Sequence, residues 1–118
     1  HMSPSFTNGI RFTIDDQAAG TRFITTAGNI IANGEWGHVA ATWDTATDNA
    51  RLYINGVLNT QGTIASGTIT DRGSLYIGNS NNAAVDLTGW GGLIDEARVY
   101  SRALGADEIK AIYLSGAR

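Results

Sequence analysis

Leu93-Ile94-Asp95-Glu96-Ala97-Arg98-Val99-Tyr100-Ser101-Arg102-Ala103-Leu104 is the stretch on which the reading of this chain turns. Its first half alternates apolar and polar residues, the pattern of a strand with one buried face. Ala97 and Val99 fall on one side with Asp95, while Glu96, Arg98 and Tyr100 fall on the other. The second half runs into Gly105-Ala106-Asp107-Glu108-Ile109, a helix start. Gly105 stands at the N-cap, and Asp107 and Glu108 lie in the first turn, where carboxylates meet the positive end of the helix dipole. Leu104 and Ile109 have the spacing of a hydrophobic staple. Ile109, Ile112 and Tyr113 continue as one apolar stripe. The stretch therefore predicts a closing strand followed by a short docking helix.

Upstream, turn signals arrive at short intervals. Asn8-Gly9, Asn33-Gly34 and Asn55-Gly56 are Asn-Gly pairs, and Asp71-Arg72-Gly73 is a further turn. Asn-Gly favours type I′ hairpins, because both central residues must take positive φ. Between the turns lie short segments rich in β-branched and aromatic residues, at 10–14, 22–26, 38–43, 51–54, 57–61 and 74–77. Short strands at this spacing predict an antiparallel sandwich. Parity puts Leu52 and Ile54 on one face and Arg51 and Tyr53 on the other; Leu75 and Ile77 oppose Tyr76 in the same way. One face is thus aliphatic and the other aromatic and polar, either a ligand surface or a second packed layer. The Gly- and Asn-rich segment 78–92 and the segment 64–70 read as loops.

Bulk properties agree with this picture. The 118 residues suit one domain, and 42% apolar with only 16% charged residues makes it globular. Fifteen glycines and one proline fit short strands joined by tight turns. The net charge of −3 gives no basis for nucleic-acid binding. No run of about 18 apolar residues exists to insert into a membrane. Cysteine is absent, which excludes disulfides and thiol chemistry without fixing a compartment. His1-Met2 reads as a cloning scar, leaving one domain over 3–118.

Four pieces in order resemble one family. Glu35-Trp36-Gly37-His38-Val39-Ala40-Ala41-Thr42-Trp43-Asp44 looks like a Trp-x-His-Val-Ala strand. Arg51-Leu52-Tyr53-Ile54-Asn55-Gly56 looks like the hairpin that follows it, Leu75-Tyr76-Ile77-Gly78 like the next strand, and 92–104 like the final one. Together they are similar to a laminin-G-like jelly roll of the concanavalin A-like lectin/glucanase superfamily. The resemblance implies an all-β antiparallel sandwich with one short C-terminal helix. Two departures stand out. The family usually places Ser where Gly105 stands, so a capping hydroxyl is missing, at a cost of a few tenths of a kcal/mol. The usual opening strands are not evident before Phe6, so the domain is either minimal or truncated or split at its N-terminus. A split sandwich exposes strand edges and invites pairing with another chain.

The resemblance also implies sites. Related jelly rolls hold a structural calcium with an Asp on the last strand, which makes Asp95 the metal candidate. Calcium takes roughly six to eight hard oxygens, of which one Asp supplies a part. The alternative is an Asp95 that accepts backbone hydrogen bonds from a loop. Trp36 and Trp43 are expected in the sandwich core. Trp90 lies between Gly89 and Gly91, where an indole either stacks on a sugar ring or packs across the sandwich edge. Arg98, Tyr100, Tyr53, Arg51 and Tyr76 form either a polar-aromatic ligand patch or ordinary cross-strand pairs. Asn81 and Asn82, with Asn79 and Asp86, sit in a loop that either binds ligand or simply exploits the turn tolerance of Asn.

Catalysis is poorly supported. Glycoside hydrolysis needs two carboxylates facing each other across about 5–10 Å. The Glu-x-Asp-x-x-Glu arrangement of related glucanases is missing, and the adjacent Asp95 and Glu96 would face opposite sides of a strand. His38 has no neighbouring Ser or Cys nucleophile and reads as a satisfied strand histidine. The expectation is a non-enzymatic module that binds carbohydrate or a protein surface, within a larger secreted or cell-surface protein. The competing expectation is an incomplete jelly roll completed by another chain, as a homodimer or with a complementing partner.

Overall fold

The computed structural model of the chain describes residues 9–14, 23–28, 30–32, 34–64, 77 and 93–116. Five strands and one helix lie within them: β1 Arg11–Thr13, β2 Phe23–Thr25, β3 Val39–Asp44, β4 Asn49–Ile54, β5 Val57–Thr63 and α1 Ala106–Ser115. β1 and β2 pair antiparallel, and β3, β4 and β5 form an antiparallel sheet in chain order. Each strand falls within a residue or two of its predicted segment.

Turn chemistry fixes the registers. Asn55 and Gly56 take φ of 51° and 78°, the type I′ geometry expected of an Asn-Gly hairpin. Asn55 also ties the hairpin to the start of β3. Its backbone N–H donates to the His38 carbonyl at 2.9 Å, and its Oδ1 accepts from the His38 N–H at 2.9 Å. The β3–β4 turn rests on a different device. Asp44 Oδ1 accepts from the Ala46 N–H at 2.9 Å, an Asx-type turn, and Asp48 takes φ of 57°. One irregularity between Leu52 and Tyr53 shifts the β4–β5 register, pairing Leu52 with Thr60 but Tyr53 with Leu58.

The core forms where the two sheets meet. Ile24, Ala50, Leu52 and Ile64 are buried together, with Ile10, Phe12, Ile14 and Trp43 packed around them. Trp43 Nε1 donates to the Ile64 carbonyl at 3.3 Å, so its polar edge is satisfied as its ring packs. Gly62 permits close approach of the sheets, since a Cβ there would meet Ile24 Cγ2 at 3.1 Å. Thr26 is buried but fully engaged: its Oγ1 accepts from the Ile10 N–H at 2.9 Å and donates to the Ala27 carbonyl at 3.0 Å.

α1 docks on the hairpin end. Gly105 is its N-cap, as expected, and the Glu108 carboxylate accepts from the Gly105 N–H at 3.1 Å. This is half of a capping box; the reciprocal half needs a side-chain oxygen that glycine lacks. Ile109 is buried, and a Cβ on Gly56 would meet Tyr113 Cδ2 at 3.0 Å. Gly56 thus serves the turn and the helix contact at once. Among the described residues no helix is long and apolar enough to cross a membrane.

Two expectations are corrected. The segment 93–100 is not a strand of either sheet, and every residue in it is exposed. Glu96 takes φ of 52°, which breaks the extended run. Trp36, expected in the core, is 49% exposed, because it precedes β3 in an irregular segment outside the sheet. Trp43 alone of the pair packs against the core. Of the strand expected at 74–77, Ile77 is the one described residue. The loop at 78–92 and most of the loop at 64–70 lie outside the described residues.

Candidate functional site

The side of β3 and β4 opposite the core carries Ala40, Thr42 and Asp44 on one strand, paired with Tyr53, Arg51 and Asn49 on the other. The two ends of this surface differ. At the hairpin end Tyr53 is only 2% exposed, and α1 lies over Gly56. At the other end Thr42, Asp44, Asn49 and Arg51, with Thr47 from the turn, line an open cleft of about 310 Å³. The segment 103–105 that leads into α1 closes its opposite wall. Arg51 Nε donates to Gln61 Oε1 at 3.3 Å, and Thr47 Oγ1 accepts from the Asn49 N–H at 3.4 Å. The signal for this cleft in the sequence is the polar half of the β3–β4 alternation, which carries no motif.

The expected ligand patch is divided. Arg98 and Tyr100 are exposed in the segment 93–100, whereas Tyr53 is sealed from solvent, so these three do not form one surface. Trp90, Asn81, Asn82, Asn79, Asp86 and Tyr76 lie outside the described residues.

His38 differs from its expected role as a satisfied histidine. Its Nδ1 is buried with no hydrogen-bond partner, and its ring sits 5.8 Å from that of Tyr113. Burial pushes its pKa below the ordinary 6.5, and the Arg98 charge pushes it the same way.

Asp95 Oδ1 accepts from the N–H of its own chain neighbour Glu96 at 2.8 Å. Among the described residues no group of three or more His, Cys, Asp or Glu side chains is placed to hold a metal. One carboxylate supplies only a part of the roughly six to eight oxygens calcium takes, and backbone carbonyls are the other ligands such a site draws on. At the helix start Arg102 forms a two-pronged ion pair with Glu108, with Nη1 to Oε1 at 2.9 Å. That bond and the Gly105 N–H hold the Glu108 carboxyl down at about 2.

Residues 3–110 match the Laminin_G_3 family, described as the concanavalin A-like lectin/glucanases superfamily. No curated protein matches the chain significantly. Among solved structures, a crystallised fragment (residues 221–444) of an S-layer domain-containing protein from Clostridium thermocellum is similar. Identity is 31% over 89% of this chain and 51% of that one, with a TM-score of 0.56. The chain thus spans about half the length of that structure. With the family match covering nearly the whole chain, the protein belongs to the laminin-G-like domains of the concanavalin A-like lectin/glucanase superfamily.

Proposed function

We propose that this chain is a non-catalytic recognition module of a larger secreted or cell-surface protein, and that it binds carbohydrate or a protein surface. The observation that carries the reading is the family membership over 3–110. The likeness to an S-layer domain-containing protein supports a surface location. Arg98 and Tyr100, exposed and two residues apart, are ligand contacts in this reading, with Trp90, Asn81 and Asn82 supplying further ones. A glycan array probed with the labelled domain and with Trp90→Ala and Tyr100→Ala tests it. Selective binding that both variants lose supports the carbohydrate arm; binding to no glycan removes it. Release of reducing sugar from a glucan by the wild-type domain would overturn the non-catalytic reading.

A second reading has its own observation. Ile94, Val99 and Tyr100 are large apolar groups exposed in an alternating segment that belongs to neither sheet. Such a segment is suited to pair with a strand from another chain, in a homodimer or with a complementing partner. Light scattering distinguishes the two: a stable dimer favours completion, and a clean monomer with a cooperative melt argues against it. Calcium at Asp95 is tested separately by melting with and without chelator. A lowered midpoint under chelator supports a bound ion, and an unchanged one removes it.

A further inference from the structure

We propose that the cleft between the outer side of β3–β4 and the segment 103–105 binds a neutral, polyhydroxylated ligand such as a sugar ring. The inference rests on the recognition-module reading and assigns it a place that the exposed Arg98 and Tyr100 do not occupy.

The argument is one of matched donors and acceptors. Asp44 is an acceptor, Arg51 a donor, Asn49 offers both through its amide, and Thr42 and Thr47 offer both through their hydroxyls. A site for an anion would gather cations and exclude Asp44; a site for a cation would exclude Arg51. Mixed groups of this kind, side by side on two paired strands, match vicinal hydroxyls, each of which donates and accepts. Arg51 faces Thr42 and Asn49 faces Asp44 in the ladder, so the four side chains form a square on one rigid surface.

Two corners of the square and the neighbouring Thr47 are tied before any ligand arrives. Asp44 Oδ1 is fixed by the Ala46 N–H, Thr47 by the Asn49 N–H, and Arg51 by Gln61. Those bonds leave capacity over. A carboxylate accepts about four hydrogen bonds and a guanidinium donates five, and one of each is engaged. Ordering cost at binding is correspondingly small. The cleft volume lies at the lower end of the about 300–1,000 Å³ typical of ligand pockets, enough for one or two rings. No aromatic side chain lines it, so affinity comes from hydrogen bonds in an open, wet site and is expected to be millimolar.

Amide shifts in the NMR spectrum of the labelled domain, titrated with glucose, galactose, mannose and N-acetylglucosamine, test the site. Glucuronate and glucosamine serve as charged controls. At least one neutral sugar is expected to move the amides of Thr42, Asp44, Asn49, Arg51 and 103–105 more than any others. Asn49→Ala and Arg51→Gln should each weaken that response about tenfold, the loss of one such bond. The dispersed spectrum of each variant reports that it still folds. Neutral-sugar shifts confined to other residues, such as 93–100, would overturn the cleft and leave the recognition reading intact. A preference for either charged control would overturn the neutral-ligand assignment. No shift with any of the sugars would overturn the cleft proposal, while array binding to larger glycans or to protein would still uphold the module.

Discussion

Two stretches of this chain share a strand pattern and end up in opposite states. Asn49–Ile54 alternates, pairs on both sides, and buries Leu52 to 1% exposure. The segment 93–100 alternates as cleanly, yet it belongs to neither sheet and leaves Val99 75% exposed. The difference is not propensity, since β-branched and aromatic residues occupy both. β4 has neighbours supplied by two short turns, at Asn55-Gly56 and at Asp44–Asn49, so its partners are local in sequence. Alternation names a face to bury; an adjacent edge decides whether burial happens.

The largest effect that can break this comparison comes from paired truncations. Leu52→Ala is expected to cost about 2–5 kcal/mol, because it opens a cavity between the two sheets. Val99→Ala should change stability by no more than about 0.5 kcal/mol, as at exposed positions generally. Denaturant melts of the two variants decide it. Equal losses would mean that the closing segment is as well packed as β4.

Gly56→Ala comes next. The residue is held at φ of 78° with Tyr113 Cδ2 3.0 Å from the would-be Cβ. The left-handed backbone alone costs roughly 1–2 kcal/mol, and the contact with α1 adds to that. A lowered midpoint with reduced helical circular dichroism is expected. A loss without change in helix signal would assign the whole cost to the turn.

Acid sharpens the contrast at smaller amplitude. His38 is held below its ordinary 6.5 by burial and by Arg98, so the unfolded chain takes up its proton first. Its contribution to stability is complete above pH 6.5 and declines as pH falls through the folded value. Glu108, held at about 2 mainly by Arg102, contributes above its ordinary 4.5, and that contribution disappears between there and about 2. Thermal midpoints followed downward from pH 7 should therefore fall in two windows. His38→Gln should remove the upper one, and Glu108→Gln the lower. The lower step is the smallest effect expected, because the Arg102–Glu108 pair is fully exposed and screened.

Much of the fold was legible because its signals are local. Asn55-Gly56 announced a type I′ turn, and alternation in 51–54 found the buried Leu52. Gly105 and Glu108 marked the helix start to the residue. The misreadings involve long-range partners. Parity paired Tyr53 with Arg51 correctly, but nothing in the sequence says that α1 covers one end of that surface and leaves the other open. Trp36 reads as core because tryptophan near a strand usually is, and its place outside the sheet has no compositional mark. The cleft has no mark in the sequence for the same reason. Thr42 and Arg51 become neighbours only through the β3–β4 register, and Ala103, Leu104 and Gly105 join them only through the docking of α1.

Amide hydrogen exchange tests the central claim most directly, because it reads pairing residue by residue. If partner edges decide which alternating segment becomes a strand, the amides of Leu52 and Ile54 exchange slowly. Those of Arg98, Val99 and Tyr100 exchange near the rate of an open chain under the same conditions. Protection at 98–100 equal to that of β4 would contradict the account, and would show that the closing segment is a fully paired strand.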